Sequence, residues 1–385
     1  MTNEFIPFAL PDIDEEEISA VVEILKSGWV TTGPKSKLFE ENFRDFIGLD
    51  GYAVAVNSAT AGLHLALESI GIGPGDEVIT TTLTFTATAE VVRYLGADVK
   101  LVDVDPHTLN IDPAAIRNAI TSKTKAIIPV HYAGLSCDMD EVFAVAREFN
   151  LKVVEDAAHA LPSKFGGKKI GNLESDATVF SFYANKTMTT GEGGMVVTKS
   201  KDIANRIRMM RLHGIDRDAF DRFRSEKPAW YYEVVAPGYK YNMTDIAAAM
   251  GIEQLKKLPK MHERRELLAQ RYHKELEDLP INLPASGIAQ SGHSWHLYVV
   301  RLLAEAKLNR DELISGLSEA GIGSSVHYVP LHRHPYWRDR YQLRNDMFPN
   351  ADESYLSMLS LPLYTRMTDE DQSRVIRAMK GLLGV

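Results

Sequence analysis

Three short stretches of this 385-residue sequence combine residue types and spacing that can do chemistry. Lys186 follows the apolar run Ala177-Thr178-Val179-Phe180-Ser181-Phe182 and precedes a turn rich in glycine, Gly191-Glu192-Gly193-Gly194. Burial between a strand and such a turn can strip a lysine of its proton and make it a nucleophile. A lysine snorkelling from a strand end is the plain alternative. Asp156 closes a second apolar run, Val153-Val154-Glu155, and leads into Ala157-Ala158-His159. An acid among alanines needs a partner: a protonated ring nitrogen, a buried ion pair or a helix to cap. His159, three residues on, shares that side if a helical turn follows. The third stretch, Asn57-Ser58-Ala59-Thr60-Ala61-Gly62, follows Val54-Ala55-Val56 and opens a helical pattern. Free backbone N–H groups there suit a phosphate, although an ordinary cap by Ser58 or Thr60 gives the same pattern.

The combination is more specific than its parts. A phosphate nest, a carboxylate for a pyridinium nitrogen and a desolvated lysine are what pyridoxal phosphate (PLP) requires. Phe85, in TTLTFTATAE at another strand end, is placed to stack on a ring, or to fill a core.

The elements that must position these residues read as an alternation from residue 52 onward. Short apolar runs (AVAV, EVITTT, VKLVDV, AIIPV, LKVVED, ATVFSF, GMVVT) are separated by amphipathic helical stretches. That pattern predicts an α/β fold, a mainly parallel sheet between helices, with ligands at the carboxyl ends of the strands. Before it, DEEEISAVVEILKS predicts a helix over 14–27, ended by Gly28. After about residue 250 a long charged helical stretch is broken by Pro259. HLYVVRLL and SSVHYV then read as strands around a helical NRDELISGLSEAG, which suggests a smaller α+β domain over 251–385 after a large one over 1–250.

Composition excludes several classes. With 43 basic and 52 acidic side chains the net charge is −9, which argues against a protein that coats nucleic acid. A single cysteine, Cys137, allows no intrachain disulfide and no cysteine-built zinc site. The acidic start lacks the pattern of a secretory signal and no window is long and apolar enough for a membrane span, so a soluble, cytoplasmic protein is expected. His327, His332 and His334 have no nearby carboxylate or HExxH helix to complete a metal site, and none is expected.

The motifs SGWVTTGP, NSATAGLHLAL, GDEVITT, KAIIPVHYAG, VVEDAAHA, FSFYANKTMTTGEGGM, GYKYNMTDI and VHYVPLH run in order over most of the chain. They resemble those of the DegT/DnrJ/EryC1/StrS family of fold-type I, PLP-dependent sugar aminotransferases. Within it, SGWVTTGPK, RLHGIDRDAFDR and APGYKYNMTDI look closest to the enzymes that make UDP-4-amino-4-deoxy-L-arabinose. Tyr183, where those enzymes have histidine, and Thr187-Met188 depart from that branch.

The resemblance implies a large domain with a seven-stranded sheet and a residue-by-residue site. Lys186 matches the Schiff-base lysine and Asp156 the partner of the pyridine nitrogen. His159 stands where the ring hydroxyl is contacted, Phe85 where an aromatic stacks. Ser58, Ala59, Thr60 and Ser181 match phosphate contacts. Asn242 matches a contact donated by a neighbouring subunit, which implies a homodimer with shared sites. Trp29, Thr31, Tyr183, His327 and Tyr328 resemble residues near the substrate. The implied reaction is ping-pong transfer of an amino group from L-glutamate, released as 2-oxoglutarate, to a nucleotide-linked keto-sugar. Arg211, His213 and Arg217 could meet the nucleotide diphosphate or form a solvated basic face. Two alternatives stay open. Related PLP-dependent sugar dehydratases replace the lysine by histidine, and a PLP-binding sensor would lack turnover.

Overall fold

The computed structural model describes residues 4–216, 230–286 and 291–384. Two helices come first, α1 (Glu15–Ser27) and α2 (Pro34–Ile47). The alternating region follows as β1 (Tyr52–Val56), α3 (Ala59–Ser69), β2 (Glu77–Thr81), α4 (Ala87–Tyr94), β3 (Asp98–Val102), α5 (Pro113–Ala119), β4 (Thr124–Ile128), α6 (Met139–Phe149) and β5 (Lys152–Asp156). The short β6 (Lys164–Phe165) and β7 (Lys168–Lys169) precede β8 (Ala177–Ser181), β9 (Gly194–Thr198) and α7 (Lys201–Met210). The remainder holds α8 (Asp245–Leu276), β10 (Ile281–Asn282), β11 (Ser291–Gly292), β12 (Tyr298–Leu302), α9 (Arg310–Glu319), α10 (Pro335–Tyr341), α11 (Pro349–Ser357), β13 (Met358–Leu361) and α12 (Asp369–Leu383).

The expected helix over 14–27 is present. Asp14 caps α1 by accepting from Glu16 N–H, Glu17 answers with its carboxylate, and Gly28 ends it at φ 74°.

The seven-stranded sheet has the order β1-β9-β8-β5-β4-β2-β3. Neighbours from β3 to β8 are parallel, and β9 alone runs against both β8 and β1. The carboxyl ends of β1, β2, β4, β5 and β8 therefore share one edge with the start of β9. Side-chain alternation builds a core on each face. Val54, Val154, Val179 and Val196 pack with Ala61 and Leu65 of α3, while Ala53, Val153, Phe180 and Val197 pack with Phe39 and Phe43 of α2. Each such fully buried Val, Leu or Phe contributes roughly 1.5–3 kcal/mol. Helix α3 lies close on the sheet, since a Cβ at Gly62 would stand 2.6 Å from Val179 Cγ1.

A three-stranded sheet, β10-β12-β13, forms the C-terminal part with α9 and α12. Two expectations are corrected there. Pro259 does not break the long helix: it lies inside the continuous 32-residue α8. It removes one backbone donor, and the flanking buried Leu255, Leu258 and Met261 hold the helix together across it. Helix α8 spans residue 250, and its buried residues pass from one core to the other between Met261 and Leu268. The SSVHYV segment is not a strand. Only Ser325 bridges, to Ser360. The chain then leaves the sheet, with His327 stacked on Phe8 and Tyr328 turned toward the edge where the large sheet ends. Among the described residues no helix is long and apolar enough to cross a membrane.

Candidate active site

The three stretches singled out in the sequence converge on one cavity of about 430 Å³ at the carboxyl edge of the sheet. Its floor at one end is the start of α3, where Ser58 Oγ caps the helix by accepting from Ala61 N–H. Ala59 and Thr60 line the cavity beside it. The approach of this turn to β9 leaves no room for a side chain: a Cβ at Gly194 would stand 2.8 Å from Ala59 N and from Ser58 C. Ser181 and Gly193 complete that end.

Asp156 ends β5 inside the sheet, buried, on the face that carries Val154 and α3. One carboxylate oxygen accepts from Thr88 Oγ1 at 2.8 Å and the other from Ala158 N–H at 3.1 Å. Thr84 in turn bonds Thr88, at 2.8 Å. Burial pushes the Asp156 carboxyl above its ordinary value, against these hydrogen bonds and the charge of Lys186. A cation facing the carboxylate from the cavity would restore its ionisation.

Lys186 sits in a tight turn whose backbone is tied down by threonines. Its N–H reaches Tyr183 O, Thr187 Oγ1 donates to Leu161 O, and Thr189 Oγ1 donates to Phe182 O. The amine is thus fixed at the cavity wall, 3.5 Å from His296 Nε2. Burial lowers its pKa to about 8, although the Asp156 charge pulls the other way. His159 lies beyond, its Nε2 2.9 Å from the Tyr328 hydroxyl. Burial holds both His159 and His296 well below the usual histidine range, with the Lys186 charge adding to it. His327 is lowered to about 4 for the same two reasons.

Phe85 and Tyr328 face each other across the mouth, 5.9 Å between centroids, and Tyr183 lies half-exposed beside Lys186. Trp29, Thr31 and Asn242 do not line this chain's cavity. Trp29 Nε1 donates to Thr32 O, Thr31 O accepts from Asp245 N–H, and Asn242 Nδ2 donates to Thr32 Oγ1. Arg211 corrects an expectation: its guanidinium points behind β1, to Glu40 at 2.5 Å and Ala55 O at 2.7 Å. His213 is exposed, with its N–H on Tyr239 O, and Arg217 lies outside the described residues. His327 Nδ1 meets Ser360, and His332 bridges Thr82 and Asp352.

Thr88, Thr84 and His296 were missed from the sequence. The two threonines stand in the same TTLTFTATAE segment as Phe85, where their i, i+4 spacing on a helical start was the available signal. His296 comes from the C-terminal part, just before β12, and nothing local marks it.

A strand-end carboxylate, a desolvated lysine and a helix N-terminus on one cavity of a doubly covered, mainly parallel sheet define a fold-type I group-transfer enzyme. The chain belongs to the DegT/DnrJ/EryC1/StrS aminotransferase family, whose model matches residues 11–380. It is 49% identical over 380 residues to an uncharacterized protein of Methanocaldococcus jannaschii, covering 98% of each. It is 46% identical over 383 residues to the spore coat polysaccharide biosynthesis protein SpsC of Bacillus subtilis, covering 99% of this chain and 98% of the relative. A solved sugar aminotransferase from Streptococcus pneumoniae, in its PMP form, superposes with a TM-score of 0.91 at 36% identity, over 98% of both chains. The same protein has been solved in a PLP form, with a TM-score of 0.90.

The residues present fit PLP. His159 Nδ1 and Asn185 Oδ1 are buried at the cavity without a partner among the described residues. Asp156 calls for a cation, and the α3 N-terminus at Ser58, Ala59 and Thr60, with Ser181 and Gly193 beside it on the cavity, suits a phosphate.

Proposed function

We propose that this PLP-dependent sugar aminotransferase moves an amino group from L-glutamate to the keto carbon, C4, of a nucleotide-linked keto-sugar. The product would be an amino-sugar for surface polysaccharide, lipid A or natural-product synthesis. The observation that carries the reading is the convergence of Lys186, Asp156 and the α3 N-terminus on one cavity.

When bound, PLP supplies an electron sink for the pair left by a broken Cα–H bond. Lys186 Nζ holds the cofactor between turnovers and, once released, takes the proton from Cα and hands it on. Asp156 keeps positive charge on the ring nitrogen, held in place by Thr88 and Ala158 N–H. Ser58, Ala59, Thr60 and Ser181 bind the phosphate. His159 and Phe85, which line the cavity, would contact the ring, His159 to orient it and Phe85 to stack on it. Tyr183, His327 and Tyr328 border the sugar. Trp29, Thr31 and Asn242 serve the site of a second subunit in a homodimer, in keeping with their place outside this chain's cavity.

The test is a panel of 4-keto and 3-keto nucleotide sugars scored by mass spectrometry for glutamate-dependent amine formation. Amination of a 4-keto sugar is expected. Amination of 3-keto sugars alone would overturn the C4 assignment, and amination of none would overturn the substrate class.

A further inference from the structure

Lys186 has one hydrogen-bonding neighbour within reach of its amine in the described structure, His296 Nε2 at 3.5 Å. His296 is buried, its ring is tilted on His159 with centroids 4.4 Å apart, and its Nδ1 has no partner among the described residues. A neutral imidazole carries one hydrogen, on one nitrogen or the other. A buried N–H without an acceptor is rarer and costlier than a buried lone pair without a donor. The orphaned Nδ1 is therefore the bare nitrogen, and the hydrogen belongs on Nε2, aimed at Lys186. An ammonium group has only donors and cannot receive it; an amine has a lone pair that can.

We propose that His296 is a positioning residue for Lys186, donating from Nε2 to the amine lone pair and so favouring the unprotonated, nucleophilic lysine. The inference rests on Lys186 as the reactive amine and is independent of which sugar is aminated. The other groups facing that amine are Asp156 from the end of β5, His159 from the turn after it, and His327 and Tyr328 from the segment after Ser325. Of these Asp156 favours the ammonium form, so His296 opposes it. The donor comes from the C-terminal part of the chain while the lysine belongs to the large sheet. The contact therefore couples the placement of one part on the other to the reactivity of the lysine.

The experiment measures Lys186 itself, in the full-length chain stripped of cofactor, by competitive labelling with acetic anhydride across pH and peptide mass spectrometry. The wild-type labelling midpoint is expected near pH 8. His296→Leu, which keeps the site dry and removes the donor, should raise it by about one pH unit. His296→Gln, whose amide can donate, should stay near wild type. In the loaded enzyme the alkaline-rising limb of kcat should move with the midpoint. A folded His296→Leu variant with an unchanged midpoint overturns the proposal. Should that variant not fold, nitrogen-15 correlation spectra of the wild-type histidines decide: hydrogen on His296 Nε2 supports it, and hydrogen on Nδ1 overturns it. A wrong sugar assignment would leave the labelling midpoint and the nitrogen-15 spectra unchanged, since neither uses a sugar.

Discussion

Glu155 and Asp156 are consecutive acids on β5, both buried, and the pleat sends them to opposite faces of the sheet. Behind the sheet, Glu155 is fully engaged. It accepts from Ser175 and from Thr178 at 2.7 Å on one oxygen and meets His131 Nε2 at 2.8 Å on the other. His131 in turn accepts Cys137 N–H at 3.1 Å. In front, Asp156 has one protein donor on each oxygen and looks into a cavity that also holds Lys186. The closed network has nothing left to offer a ligand, whereas the half-satisfied carboxylate does. Two acids of the same type, one residue apart, thus divide into architecture and chemistry according to how many donors the protein has already given them.

The largest effect should come from the cavity side. Lys186→Ala is expected to lower turnover by about 10⁴-fold or more, with the circular dichroism spectrum kept. Asp156→Asn should lower kcat by about 10²–10³-fold while the melting temperature moves little, because the fold does not depend on its charge. Glu155→Gln should do the reverse. Loss of a charge from a dry, paired site costs about 2–4 kcal/mol in urea unfolding, with kcat of the loaded enzyme within a few-fold of wild type. If Glu155→Gln disabled catalysis as Asp156→Asn does without destabilising, the division between the two faces would fail. Gly194→Ala, with its Cβ against Ala59 N and Ser58 C, should weaken PLP binding by about tenfold, read by titration, at a stability cost of about 1–3 kcal/mol.

The smallest effect is one of pH. The Lys186 amine acts unprotonated, and its pKa of about 8 makes turnover rise with pH through that value and level off above it. That value lies below the ordinary 10.5, so the unfolded chain binds more protons between about pH 8 and 10.5. The cofactor-free protein should therefore gain stability as pH rises through that window, measured by denaturation at constant ionic strength.

Much of this division was legible in the sequence because a parallel sheet forces it. Once short apolar runs alternate with helices, the residues just after each run must meet at one edge, which brings Ser58–Thr60, Asp156–His159 and Ser181–Lys186 together. The sequence could not tell the back of the sheet from the front beyond strand parity, so it left Arg211 open between a ligand and a solvated face, whereas its guanidinium is buried against Glu40 and Ala55 O. Nor could it show contacts made across long chain separations, such as Thr88 to Asp156 or His296 to Lys186, which depend on how the parts dock. The 324–329 stretch had strand-like residues, yet its partner strand offers only Ser360, and stacking of His327 on Phe8 carries the chain off to the cavity. Pro259 failed as a helix breaker because packing on both sides of it outweighs one missing donor.

The most direct test of the account is to load the protein with PLP, reduce it with borohydride and map the modified residue by peptide mass spectrometry. The cofactor is predicted on Lys186 alone, and lost from Lys186→Ala. Labelling of another lysine, such as the exposed Lys168 on β7, or no labelling at all, would contradict it.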